Sequence, residues 1–136
     1  MVTEANFTSP LRVLVADDHR DTALTLGILL RSEGYDVRLA HSGTEALSEA
    51  AQFHPDIALL DLEMPGRTGF EVADELRRRG AVSPVLIAVT SQTSSDARQI
   101  AETSGFHHFL AKPYDRQALL LLLASLSPEN LITAVA

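Results

Sequence analysis

The sequence predicts an α/β fold, a doubly wound (βα)5 unit in which five parallel strands lie between two layers of helices. Three observations carry that expectation. Short apolar runs alternate with amphipathic segments from one end of the chain to the other. The runs are apolar on both faces, as strands covered on both sides require. Four of them also end on a chemically pointed residue: residues 11–16 run into Asp17-Asp18, 57–60 into Asp61, 85–89 into Thr90-Ser91, and 109–111 into Lys112-Pro113.

Taken in order, residues 11–16 read as the first strand. Asp21 is expected to cap the first helix, whose Ala23, Leu24, Leu26, Ile28, Leu29 and Leu30 give a broad apolar face, and Gly34 can end it. Residues 37–40 form the second strand. Ser42-Gly43-Thr44-Glu45 is a capping box ahead of a helix over 46–53. The third strand spans 56–60. Thr68-Gly69-Phe70-Glu71 repeats the capping box before a helix over 72–79, with Gly80 as its stop. Residues 84–89 make the fourth strand, and Thr93 or Ser94 opens a helix running through Ala97, Ile100 and Ala101 to Gly105. Residues 106–111 make the fifth strand, and Asp115 opens the last helix, 116–126. Residues 1–10 are expected to be a flexible leader and 127–136 a short tail, leaving no room for an output domain on this chain.

The bulk composition sets limits. A chain of 136 residues fits one domain with a real core, since this size buries about two-thirds of its unfolded surface. A net charge of −7 argues against a duplex-DNA-binding surface, so no direct nucleic-acid contact is expected. Without cysteine, disulfides, thiolate metal sites and thiol nucleophiles are impossible. The N-terminal segment, with Glu4 and Asn6, has neither the basic start nor the apolar core of a signal peptide. The longest greasy stretch, 118–124, is far shorter than the ~20 residues of a membrane helix. No membrane contact and a cytoplasmic location are therefore expected.

In a doubly wound sheet, ligands sit outside the carboxyl ends of the strands, near the point where strand order reverses. Asp17, Asp18, Asp61, Thr90 and Lys112 should all converge there. Three carboxylates held together repel unless a cation compensates them. With oxygen donors and neither His nor Cys in the set, a hard ion such as Mg²⁺ suits them. Lys112, the single lysine of the chain, adds a mobile ammonium, and Thr90 adds a hydroxyl donor. These are the parts of a metal-assisted phosphoryl site.

At this point the chain resembles the receiver domain of two-component response regulators over about residues 11–126. The carrying pieces are Leu14-Val15-Ala16-Asp17-Asp18, Leu59-Leu60-Asp61-Leu62-Glu63-Met64-Pro65-Gly66, Gly69-Phe70-Glu71-Val72, Ala88-Val89-Thr90-Ser91 and Phe109-Leu110-Ala111-Lys112-Pro113. The resemblance implies a flavodoxin-like sheet with strand order 2-1-3-4-5. It also implies that Asp61 accepts a phosphoryl group from a phosphohistidine on a sensor histidine kinase or histidine phosphotransfer protein. Asp18 and Asp61 would bind Mg²⁺ directly, the backbone carbonyl of Glu63 would complete the protein ligands, and Asp17 would act through water. Thr90 and Lys112 would hold the phosphoryl oxygens, and the Lys112–Pro113 bond would be cis. Phe109 would swing inward on phosphorylation, changing a signalling face made of the fourth helix, fifth strand and fifth helix, open to a second copy or a target protein. Phe109 stands where tyrosine is frequent, Thr68 where aspartate is common, and Glu63 and Gln92 line the family's water route to the phosphoryl group.

Blander readings exist for each residue taken singly. Asp18 could cap a helix, Thr90 could satisfy a strand end, and Lys112 could be a solvated lysine; the ensemble outweighs them. His107-His108 reads as a strand surface pair whose rings point to opposite faces. Arg77-Arg78-Arg79 reads as a solvated last turn favoured by the helix dipole. Leu119 to Leu123 covers every side of a helix, and either the tail residues Leu131 and Ile132 or a partner surface should cover the outer part. The expected function is a signalling phosphoacceptor, not a turnover enzyme, acting as a free-standing regulator or as a receiver from a hybrid kinase. The rival enzyme reading is a small aspartyl-phosphate phosphatase or phosphotransferase with Glu63 as its second acid. An FMN binder would need a Ser/Thr/Gly-rich loop where this chain has Asp17-Asp18-His19-Arg20-Asp21.

Overall fold

The computed structural model describes residues 10–79, 83–91 and 95–126. Five strands, β1 (Arg12–Ala16), β2 (Asp36–Ala40), β3 (Ile57–Asp61), β4 (Val85–Thr90) and β5 (His108–Ala111), alternate with five helices. These are α1 (Arg20–Ser32), α2 (Gly43–Phe53), α3 (Gly69–Arg79), α4 (Ser95–Thr103) and α5 (Arg116–Ser125). The strands are all parallel in the order β2-β1-β3-β4-β5. The expected flavodoxin-like arrangement is therefore the observed one. No helix among the described residues is long and apolar enough to cross a membrane.

Alternation of side chains along each strand builds two cores from one sheet. Leu14, Ala16, Ala58, Leu60, Leu86 and Ala88 face one layer, where Leu47 of α2, Val72 and Leu76 of α3 and Ala101 of α4 close over them. Val13, Val15, Ile57, Leu59, Ile87 and Val89 face the other, under Ala23, Leu26 and Leu30 of α1 and Leu119 and Leu123 of α5. Each fully buried Leu or Ile contributes roughly 1.5–3 kcal/mol relative to its exposed state. With both faces covered, β1, β3 and β4 are rigid, and their carboxyl ends are fixed points on which a site can be built.

Several local expectations need correction. Asp21 does not cap α1: the N-cap is His19, which makes no side-chain cap bond, and Asp21 lies in the first turn. The reason lies in the preceding loop, where the His19 N–H donates to Asp17 Oδ1 at 2.9 Å and sets the entry to the helix. The apolar face of α1 is narrower than expected, because Leu24 and Ile28 stand exposed while Ala23, Leu26, Gly27 and Leu30 are buried. Helix α2 starts three residues early, at Gly43, and its box is split. The Glu45 N–H donates to Ser42 Oγ at 3.1 Å, but the Glu45 carboxylate accepts from the N–H of His41. The Thr68/Glu71 box at α3 is reciprocal, at 2.8 and 3.3 Å. Strand β3 includes Asp61 itself, and β5 begins at His108 because Phe106 turns into the α3–α4 side of the core, edge-on to Phe70.

Two surface features resolve similarly. The three arginines ending α3 pair with acids one turn back, Arg77 and Arg78 with Asp74 and Arg79 with Glu75. Of the leucine run in α5, Leu119 and Leu123 are buried and Leu121 is 62% exposed. Gly80, Thr93, Ser94, Leu131 and Ile132 lie outside the described residues.

Gly69 ties the fold to the tip of β3. A Cβ on Gly69 would stand 2.6 Å from the backbone oxygen of Asp61 and 2.9 Å from Leu62 Cα, so α3 can dock this closely only without a side chain. Gly69→Ala should destabilise the protein by about 1–3 kcal/mol through that overpacking. Urea unfolding followed by circular dichroism measures it; a stability equal to the parent's would contradict the close approach.

Candidate functional site

The chain crosses from β2, on one side of β1, to β3 on the other, and the crevice at this reversal is where the sheet offers a ligand site. Asp17 and Asp18 follow β1, Asp61 is the last residue of β3, Thr90 the last of β4, and Lys112 follows β5. Three of these polar residues are nearly sealed from solvent, with Asp17 5%, Asp61 3% and Thr90 1% exposed. The Lys112 N–H donates to the Thr90 carbonyl at 2.8 Å, which ties the β5 exit to the β4 tip. The Lys112–Pro113 peptide is cis.

Lys112 is the electrostatic centre. Its Nζ lies 3.0 Å from Asp17 Oδ2 and 3.3 Å from Asp61 Oδ2. Burial alone would favour the neutral amine, yet bonding to these two carboxylates outweighs it and holds the ammonium above its ordinary value. The two acids are pushed apart. Burial raises Asp61, and the Asp17 charge adds to that, against the lowering pull of the Glu63 N–H at 2.9 Å and of Lys112. In Asp17 burial is outweighed by the His19 N–H and by Lys112, and the carboxyl titrates low. Asp17 is thus the more acidic of the pair and Asp61 the more basic.

Carboxylate oxygens of Asp17, Asp18 and Asp61 and a ring nitrogen of His19 lie within 4.8 Å of one another. The set is dominated by hard oxygen donors and carries more negative charge than one lysine balances, which fits a divalent cation such as Mg²⁺. His19 was not foreseen; its Nδ1 lies 3.3 Å from Asp17 Oδ1 and 3.4 Å from Asp18 Oδ1. Its place directly after the Asp pair was the available signal.

Thr90 joins the cluster through Glu63. Its Oγ1 donates to Glu63 Oε1 at 3.2 Å, and the same carboxylate accepts from the Ser91 N–H at 3.2 Å and from Ser91 Oγ at 3.0 and 3.2 Å. The Ser91 N–H is the largest reason the Glu63 carboxyl titrates low, with the Ser91 and Thr90 hydroxyls adding to it. Phe109 stands apart from the acids. It is half-buried against the helix layer, and the Arg98 guanidinium from α4 lies 4.7 Å from its ring centroid. The His107 ring accepts the Leu86 N–H at 2.9 Å, while His108 is half-buried in β5. Gln92 lies outside the described residues.

A family model described as the response regulator receiver domain matches residues 13–124. The chain belongs to that family. Receiver relatives include the response regulator MprA of Mycobacterium avium (strain 104), 37% identical over 130 residues, a match covering 93% of this chain and 57% of that protein. MprA of Mycobacterium tuberculosis (strain ATCC 25618 / H37Rv) is 36% identical over 130 residues, covering 93% and 56%. The chain thus spans a little over half the length of the curated relatives it matches. Among solved receiver structures, the chemotaxis protein CheY4 of Vibrio cholerae superposes with a TM-score of 0.81 at 28% identity, covering 87% of this chain and 99% of that one. A putative response regulator from Chloroflexus aurantiacus gives 0.79 at 30% identity, covering 85% and 96%. Membership places this receiver in two-component signalling.

The opposed titrations fix the sign of the pH response. The low Asp17 contributes stability that is full above the ordinary value of 3.8 and fades as pH falls through its folded value. The raised Lys112 contributes below its ordinary 10.5 and loses that contribution as pH climbs through its folded value. Asp61, raised, opposes folding at neutral pH, and protonation relieves it. Lys112→Met should therefore move the titrations of both Asp17 and Asp61 upward in carboxyl ¹³C NMR. Unmoved titrations would show that the ammonium does not hold them.

Proposed function

We propose that this chain receives a phosphoryl group on Asp61 from the phosphohistidine of a sensor histidine kinase or a histidine phosphotransfer protein, with Mg²⁺ as the metal. One observation carries the reading: the carboxylate of Asp61 is held at a strand tip, 3.3 Å from a lysine ammonium and within a tight set of further carboxylates. Phosphoryl transfer needs little from a protein beyond positioning and neutralisation of charge on the moving oxygens. Those are the two things this tip supplies.

Asp18 and Asp61 would hold the metal directly, with the Glu63 backbone carbonyl, and Asp17 would reach it through water. When bound, Mg²⁺ neutralises the carboxylates and the phosphoryl oxygens. In the transfer, an Asp61 oxygen bonds to phosphorus as the P–N bond breaks, and the electron pair returns to the imidazole of the donor. Lys112, with three N–H donors, can keep Asp17 while meeting a phosphoryl oxygen. Thr90 turns its hydroxyl to another. Phe109 then moves inward behind it, away from Arg98, and the surface of α4, β5 and α5 changes shape for a second copy or a target protein. The folded unit carrying this switch is residues 11–126.

The phosphatase rival asks Glu63 to serve as a proton donor two residues after the nucleophile. Its carboxylate is instead engaged with Thr90 and Ser91 and titrates low, both unfavourable to an acid. Incubation with Mg²⁺ and a small phosphodonor should add one phosphoryl group by intact-mass measurement. The gain should vanish in Asp61→Asn and on chelation of the metal. A parent protein that gains no mass would overturn the proposal.

A further inference from the structure

Glu63 is used twice at the β3 tip. Its N–H donates to Asp61 Oδ1 at 2.9 Å, while its side chain crosses to β4 and collects Thr90 Oγ1, Ser91 Oγ and the Ser91 N–H. The donors are unequal in what they can give up. The Ser91 N–H and hydroxyl anchor the carboxylate whatever Thr90 does. A threonine hydroxyl, by contrast, carries one proton and donates once.

We propose that the Glu63 side chain is a positioning residue that holds the Thr90 hydroxyl in its resting direction, so that the phosphoryl group must win that proton from Glu63 before the switch can engage. The proposal rests on Asp61 as the phosphoacceptor. It adds that the tendency of this receiver to enter its phosphorylated conformation is set by competition between two acceptors for one hydroxyl. A phosphoryl oxygen offers a charge-assisted bond, and Glu63 already offers one. The resting state is thereby deepened, and the phosphorylated form is reached at the expense of the Glu63–Thr90 bond. Ser91 matters because it keeps Glu63 from following Thr90 inward.

Loss of the carboxylate could also favour an anion at Asp61 simply by removing a nearby negative charge. A double-mutant cycle separates the two causes, because an effect exerted through Thr90 disappears when the hydroxyl is gone. The probe is beryllofluoride, a mimic of the phosphoryl group, titrated at saturating Mg²⁺ and followed by NMR. Glu63→Ala should tighten its apparent Kd about five-fold when Thr90 is present, the net scale of one ordinary hydrogen bond. In a Thr90→Val background the same change should have almost no effect. Glu63→Gln, which keeps an acceptor oxygen without the charge, should tighten binding by less than Glu63→Ala.

Equal tightening in both backgrounds, or equal effects of Gln and Ala, would mark a through-space charge effect and overturn the proposal. So would unchanged or weakened binding in Glu63→Ala. A parent protein that shows no response to beryllofluoride would strike the phosphoacceptor reading itself, and the proposal with it.

Discussion

The ammonium of Lys112 lies 3.0 Å from Asp17 and 3.3 Å from Asp61, and the arrangement of the whole strand edge follows from having to keep those groups together. Two carboxylates, each at most 5% exposed, would repel strongly in a site of reduced dielectric without a cation between them. The lysine arrives at the end of β5, three positions along the sheet from β1 and two from β3. The sheet must therefore be rigid enough to hold the three tips in register. That rigidity comes from the two apolar cores on either face of β1, β3 and β4.

Compensation is incomplete, and the shortfall has chemical value. One ammonium serves three nearby acids; burial above all leaves Asp61 with a raised titration, while the His19 N–H and Lys112 hold Asp17 low. Environments that separate two carboxylates in this way assign them different work. Asp17 anchors the lysine. Asp61 is the more basic of the two, and a divalent cation beside it, Asp17 and Asp18 would complete the charge balance. At the tip of β4, Thr90 and Ser91 donate to Glu63, and the Thr90 carbonyl accepts from the Lys112 N–H.

Much of this was legible in the sequence because apolar runs end abruptly where strands end. The break at Leu60-Asp61 or Ala111-Lys112 locates a strand tip to within a residue, and a parallel sheet gathers its tips on one edge. The reciprocal box of Thr68 and Glu71 could be read in the same way, from local spacing alone. What could not be read were contacts with no periodic signature. Glu63 meets Thr90 across 27 positions, and the Arg98 guanidinium covers Phe109 from a neighbouring element. Asp21 was misplaced as a helix cap because the entry to α1 is governed by the site: His19 gives its N–H to Asp17, and the helix starts where that bond leaves it.

Ile100 of α4 and Leu121 of α5 stand 53% and 62% exposed. We propose that Asp61, and neither Asp17 nor Asp18, forms the acyl phosphate. Borohydride reduction of the phosphorylated protein converts an aspartyl phosphate to homoserine, and peptide mass spectrometry locates it. The account predicts homoserine at position 61 alone. Homoserine at 17 or 18, with Asp61 intact, would contradict it.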